Sequence, residues 1–239
     1  MPSVTPRPRA YVRVAGPDAE DYLQRMVSND VAALGVGDEC DALLLTAKAR
    51  IIAPLRIMRR ADEDFLVLTE PELGETVRTQ LLRTRFAAKA EIEAEQHESW
   101  LVLGGGEVID EKPEGDDASA DDVERWRIES RIPKWGAELD DKILPAEAGL
   151  EQTHISFTKG CYPGQEPIAR QHYRGKVNRT LRVLDLEGEV MPGEELLLND
   201  KIVGRITSTA DGVALGYVRT EVPDDATLTA KTGFARLRP

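Results

Sequence analysis

The residues of this chain best suited to chemistry lie between Ile155 and Arg182. In Ile155-Ser-Phe-Thr-Lys-Gly-Cys-Tyr-Pro-Gly-Gln-Glu-Pro-Ile-Ala-Arg170, a thiol (Cys161), an amine (Lys159), an amide (Gln165) and a carboxylate (Glu166) fall within eight residues. Gly160 and Gly164 bracket the cysteine and allow backbone conformations that other residues avoid. A tight turn of this kind holds a thiol out at a tip. Lys159 favours the thiolate if the two side chains converge. Gln165 and Glu166 can orient a ligand or the amide of a partner. The same residues also read as a plain turn around a small buried cysteine, since free cysteine is often buried. His154 and His172 are near in sequence, but a Cys–His nucleophile needs a convergence in space that spacing does not give.

The elements around this segment have to position it. Residues 17–27 place Ala19, Tyr22, Leu23, Met26 and Val27 on one helical face, with acids in the first turn. Residues 41–59 predict two strands with a turn near Thr46–Lys48, and Pro54 implies an edge position or a bulge in the second. FLVL at 65–68 predicts a third strand. A helix is expected from Pro71 to about Phe86, and strands near 89–94 and 100–103. Gly104-Gly105-Gly106 is read as a strand-end turn, because no helix follows that could present its N-terminus to a phosphate. Residues 111–122 are acidic and lack large apolar residues, so an exposed linker is expected there, followed by a helix over DVERWRI. From 181 onward short strands recur every eight to twelve residues between turn residues, which predicts a small antiparallel barrel or sandwich.

Composition narrows the function. The chain has 239 residues, a net charge of −12 and only two cysteines, Cys40 and Cys161. It carries no CxxC pair and only three histidines, so no metal site is expected. Cys40 is read as a structural cysteine beside a strand. No apolar run is long enough to cross a bilayer and MPSVTPRPRA lacks an apolar core, so a cytoplasmic location is expected. Lys159–Arg182 holds six Lys/Arg against one acid, Glu166, in an otherwise acidic chain. This contrast suits an anion-binding site, or equally a set of bases paired to acidic neighbours. An RNA-binding protein using this stretch is one alternative, although only Tyr162 and Tyr173 offer stacking faces there.

Lys159-Gly-Cys-Tyr-Pro-Gly-Gln-Glu166 closely resembles the Lys-x-Cys-Tyr-x-Gly-Gln-Glu signature of the YgfZ family. The resemblance extends to WRIESRIPKWGAEL upstream and PIARQHYRGKVNRTLRVL downstream. It includes GPDAEDYLQRMVSNDVAAL near the start, so it spans most of the chain. It implies an α+β fold, a three-domain ring of glycine-cleavage T-protein type with a C-terminal antiparallel β-barrel. On that scheme residues 1–44 plus 111–180 form a discontinuous folate-binding domain, 45–110 an inserted α+β domain and 181–239 the barrel.

The resemblance implies tetrahydrofolate, or a derivative, as cofactor. It implies a role in assembly or repair of iron–sulfur enzymes, including those that thiolate transfer RNA. Iron–sulfur clients, cluster carriers and tRNA-modifying enzymes are the partners that follow; apart from the resemblance, no membrane partner is expected, and a monomer is expected because no exposed heptad or long apolar seam stands out. Cys161 is the expected functional thiol, with Lys159, Tyr162, Gly164, Gln165 and Glu166 around it. Glu129 matches the acid that meets the pterin ring in this fold, and a carboxylate accepts two parallel N–H bonds from an aminopyrimidine edge. Asn29 and Asp30 match a segment that lines the folate channel, and Arg170 is among the bases that suit the folate's glutamate tail. The competing function is folate-dependent aminomethyl transfer. T proteins use an aspartate on a strand matching Ala49–Leu55, where this chain has Ala53 and Pro54. Without that acid no group assists the amine chemistry at this position, so an accessory factor is expected more than an aminomethyltransferase.

Overall fold

The computed structural model describes residues 1–238. The chain enters as β1 (Ser3–Pro6) and β2 (Ala10–Ala15), then forms α1 (Ala19–Met26) and a meander of β3 (Glu39–Leu45), β4 (Ile51–Ala61) and β5 (Asp64–Thr69). Helix α2 (Gly74–Thr84), β6 (Glu91–Glu95), β7 (Ser99–Val102), β8 (Gly106–Ile109) and β9 (Asp116–Asp117) follow. Helices α3 (Ala120–Glu129), α4 (Glu151–His154) and α5 (Gln165–Arg174) lead into β10 (Arg179–Gly188), β11 (Glu195–Leu198) and β12 (Lys201–Ala210). The chain ends with β13 (Val213–Arg219), β14 (Thr227–Ala230) and β15 (Gly233–Leu237).

The first layer is a five-stranded sheet in the order β3-β4-β5-β2-β6. The apolar stripe of α1 (Ala19, Tyr22, Leu23) and that of α2 (Val77, Leu81) cover one face, packing on Val12, Val14, Ala42, Leu44, Ala53 and Phe65. Burial along β4 alternates at Ile51, Ala53, Leu55 and Ile57, the period of a strand with two different faces. Strand β5 is buried at almost every position because both of its faces are covered. Phe65 and Val67 meet the helices, while Leu66 and Leu68 join Tyr11 in a smaller cluster with Met58 and Ile109.

Pro54 illustrates a local rule. Strand β4 is interior to the sheet, but its ladder with β5 begins only at Arg56. Pro54 therefore sits where a missing N–H leaves no partner unsatisfied. Its carbonyl accepts the Thr69 hydroxyl at 2.8 Å.

A second sheet, β8-β7-β1-β9, is built around the N-terminal strand. The three glycines close the β7–β8 hairpin, with Gly104 and Gly106 at φ +78° and +112°. The acidic stretch is largely exposed, and β9 lies within it, pairing parallel to β1. Ser119 ends it by capping α3, its hydroxyl accepting from the Asp122 N–H at 3.1 Å.

The third unit is a closed antiparallel barrel, β10-β13-β12-β11-β14-β15, lined by Leu184, Leu196, Ile206, Val218, Leu228 and Ala235. Its outer face is apolar too. Leu181, Val183, Val213, Leu215 and Tyr217 pack with Leu43 and Leu45 of β3, Ile128 of α3, Tyr162 and Ile168. Glu138 is pinned at this junction. It accepts from Arg127 (3.0 Å), the Lys134 N–H (3.0 Å) and the Ser208 hydroxyl (2.6 Å), while the Tyr217 hydroxyl donates to its carbonyl (2.8 Å).

The five-stranded sheet joins residues 10–15, 39–69 and 91–95 in one hydrogen-bonded layer. The division expected between 44 and 45 falls inside β3. Apolar pattern marks strands, but a sheet recruits its strands by pairing, and β2 sits between β5 and β6.

Candidate functional site

Residues 27–30 and 153–159 are laced together beneath the motif. Ser28, fully buried, donates its hydroxyl to the His154 carbonyl (2.6 Å) and accepts from the Leu43 N–H (2.8 Å). The Asn29 amide donates to the carbonyls of Asp41 (2.7 Å) and Thr153 (3.0 Å). Asp30 accepts from the Gln24 amide at 2.9 Å. Lys159 completes the lacing: its ammonium donates to the carbonyls of Val27 (2.8 Å) and Asn29 (2.6 Å). Burial lowers the Lys159 pKa to about 8, opposed by the Asp30 carboxylate. The positive charge of Lys159 is thus spent on the Val27–Asp30 turn and on the neighbourhood of Cys40. Cys40 is half-buried in β3, and burial together with Asp41 pushes its thiol up to about 11.

The rest of the motif divides between buried anchors and an exposed thiol. Tyr162 is buried, its hydroxyl has no hydrogen-bond partner among the described residues, and burial pushes its pKa up to about 12. The Lys159 ammonium lies 5.4 Å from its ring centroid. Gly164 has φ +85°, and a Cβ there would stand 2.7 Å from the Thr46 carbonyl oxygen, so only glycine fits against the β3–β4 turn. Gln165 and Glu166 form the first turn of α5. Lys159, Tyr162 and Gly164 are anchors, and Cys161 between them is exposed.

Glu129 lies elsewhere, in a cavity of about 700 Å³ enclosed by α3, the 130–133 segment, both sheets and the 148–154 segment, with Val183 and Arg238 completing the wall. Its carboxylate is half-exposed and meets Arg125 at 3.3 Å and Arg238 at 3.5 Å. Opposite stands an arginine cluster. Arg9 pairs with Glu107 (2.9 Å) and Glu70 (2.9 Å), Arg7 with Glu70 (3.4 Å), and Arg56 with Asp41 (3.1 Å). Burial and the neighbouring Arg9 lower the Arg7 pKa. Arg131, also in the wall, makes no ion pair among the described residues. Trp126, Leu55, Leu101 and Pro133 supply apolar surface. His154 borders the cavity, and burial lowers its pKa, favouring the neutral ring.

The expected site residues therefore fall into three places. Glu129 lines the central cavity. Asn29 and Asp30 stand behind its wall, Asn29 holding the wall residues Asp41 and Thr153 by their backbones. Arg170 lines a separate cleft beside α5. The motif is not in the cavity wall, yet it is tied to it, since Thr153 and His154 border the cavity a few residues before Lys159. Sequence reasoning missed Arg7, Arg9, Arg56 and Asp41, which the order of the sheet strands brings together, and Trp126, which α3 carries into the same cavity.

Two further points bear on the alternatives. Ala53 is buried in the helix-covered core and Pro54 borders the cavity, so no carboxylate enters from this stretch of β4. In the basic stretch Arg179 is paired with Glu147 (2.8 Å) and Arg182 with Asp224 (2.8 Å), and Tyr162 is buried. Only Tyr173 remains an open tyrosine face there, edge-on to His172 at 4.9 Å.

The barrel, residues 178–239, matches the family model "CAF17, C-terminal beta-barrel domain". The chain is 27% identical to the tRNA-modifying protein YgfZ of Edwardsiella ictaluri, covering 76% of this chain and 70% of that protein. It is 25% identical to the mitochondrial iron-sulfur cluster assembly factor IBA57 of Mus musculus, covering 88% and 72%. The crystal structure of the glycine cleavage system aminomethyltransferase T from Bartonella henselae superposes with a TM-score of 0.84 at 15% identity, covering 99% of this chain and 85% of that one. That likeness establishes a shared fold.

Proposed function

We propose that this chain, which belongs to the YgfZ family, is a tetrahydrofolate-binding accessory protein for assembly or repair of iron–sulfur enzymes, with Cys161 as its working thiol. The observation that carries this reading is the pairing of an arginine-rich cavity holding Glu129 with an exposed cysteine on a loop laced to the cavity wall. The names of the relatives, one tRNA-modifying and one a cluster assembly factor, support the same role and the same class of partners.

The cavity residues fit a reduced folate. Glu129 offers two acceptor oxygens to the aminopyrimidine edge once Arg125 and Arg238 yield. Trp126, Leu101 and Pro133 suit a flat ring system. Arg131 and the Arg7–Arg9–Arg56 cluster suit the carboxylates of the glutamate tail. Tetrahydrofolate, when bound, supplies a reduced pterin able to carry one-carbon units. The chain's own part is to bind it, with Pro54 where an acid would be needed to assist amine chemistry. That supports an accessory role over aminomethyl transfer.

Cys161 offers one thiolate, which is one ligand to a cluster iron, so the remaining ligands belong to the client or carrier. Lys159 and Tyr162 hold the loop and leave the sulfur free to meet it.

Anaerobic calorimetry with tetrahydrofolate is the direct test. The wild type binds, and Glu129→Ala weakens binding by about tenfold, the loss of a charge-assisted pair. Unchanged affinity in that variant removes the pterin assignment. Failure of Cys161→Ser to rescue iron–sulfur enzyme activity in a deletion strain, with folate binding intact, is the matching expectation for the thiol. A release assay with an aminomethylated carrier protein separates the transferase reading, and product formation would establish it.

A further inference from the structure

We propose that the cleft between α5 and residues 144–151 is a second binding site, for a small organic anion that carries a phosphate or carboxylate on a compact apolar skeleton. The cleft encloses about 520 Å³, within the roughly 300–1,000 Å³ of small-molecule sites. It shares no lining residue with the Glu129 cavity. A single stretch of chain separates them. Leu144, Pro145, Ala146 and Glu151 face the cleft, whereas Ala148, Gly149, Leu150, Thr153 and His154 face the central cavity.

Charge defines the head of the ligand. Arg170 and Arg174 lie one turn apart on α5, both border the cleft, and neither meets a carboxylate within 4 Å among the described residues. Two later bases of the same stretch are already committed, Arg179 to Glu147 and Arg182 to Asp224. The one carboxylate in the wall, Glu151, lies 3.7 Å from His172 Nδ1. Helical neighbours at this spacing hold their Cβ atoms about 5–6 Å apart, so two guanidinium forks can grip one phosphate or a pair of carboxylate oxygens.

The walls define the body. Leu144, Pro145, Ala146, Pro167 and Ile168 present no side-chain hydrogen-bonding group, so what lies between them is apolar. Ile168 is buried and Pro167 is held in the first turn of α5, so this surface is rigid before any ligand arrives. The site stands whether or not the central cavity binds folate.

The experiment titrates the whole protein at low salt with phenyl phosphate and, separately, with inorganic phosphate, following backbone amide shifts by NMR. Phenyl phosphate is expected to shift residues of α5 and 144–151 and to bind more tightly than inorganic phosphate. Arg170→Ala with Arg174→Ala is expected to weaken it at least about tenfold, the loss of one or more charge-assisted hydrogen bonds. Lys176→Ala, on an exposed residue outside the cleft, is expected to leave binding within about twofold. Both arginines are exposed, so their removal leaves the fold intact, which a thermal melt checks. Shifts centred on the Glu129 cavity, equal binding of the two probes, or equal loss in Lys176→Ala and the double variant would each overturn the proposal.

Discussion

At the scale of single residues, the motif divides into anchors and one presented group, and the two kinds respond differently to substitution. Gly164→Ala places a Cβ 2.7 Å from the Thr46 carbonyl at a φ of +85°, so a loss of roughly 1–3 kcal/mol is expected by chemical denaturation. Cys161→Ser changes an exposed side chain, and its stability is expected to stay within about 0.5 kcal/mol of wild type. An equal loss in both variants would mean that Cys161 is structural. Lys159 gives the pH signature. Its pKa of about 8 lies below the roughly 10.4 of an unfolded lysine, so between those values the unfolded chain holds more protons at this site. Its contribution to stability therefore rises as pH increases from about 8 to 10. Cys40, pushed up to about 11, and Tyr162, pushed up to about 12, act in the opposite sense at alkaline pH. The useful quantity is wild type minus Lys159→Met, and a flat difference across that window would exclude a buried, depressed amine.

At the scale of elements, two ion pairs hold units together. Arg127→Met leaves Glu138 buried without its cation between α3 and the barrel, and a loss near 3 kcal/mol is expected in a denaturant titration. His97 stands between Glu95 (2.8 Å) and Asp110 (2.7 Å), and those carboxylates outweigh burial and raise its pKa. Its stabilisation is complete below the unfolded value near 6.5 and fades as pH rises through the higher folded value. His97→Gln should flatten the stability profile over that window, and an unchanged slope would mean the bridge carries no charge.

Elements also show what pattern can and cannot reveal. The α1 face, the β3–β5 meander and the barrel strands were legible because burial on one or two faces repeats at the period of each element. Helix α5 was not, since Gly160 and Gly164 read as a tight turn around Cys161, and Pro167 stands inside the helix. In the folded chain Gly164 takes a left-handed conformation and the proline occupies the first turn, where its missing N–H costs nothing. Glu129 was marked only through its family resemblance. The arginine cluster had no signal at all, because Arg56 of β4 reaches Arg7 and Arg9, just ahead of β2, only through the sheet order β4-β5-β2.

At the scale of the molecule, the barrel is a closed sheet with its own interior, yet it is not a self-sufficient body. Its outer face contributes Leu181, Val183, Val213, Leu215 and Tyr217 to the same cluster as Leu43, Leu45, Ile128 and Ile168. The Glu138 junction adds hydrogen bonds that one unit cannot satisfy alone. Separating the barrel would expose this apolar face and leave the Tyr217 hydroxyl without the Glu138 carbonyl, a combination that costs more than the few kcal/mol by which domains of this size are stable. The β2 strand likewise stitches the N-terminal segment into the central sheet. The whole chain is therefore expected to melt in one cooperative transition, with calorimetric and van't Hoff enthalpies in agreement. Residues 178–239 expressed alone should aggregate or bind a hydrophobic dye. Two resolved transitions, with a soluble, folded barrel fragment, would show that the shared cluster is a contact surface between independent bodies and that the central cavity can open by moving one of them.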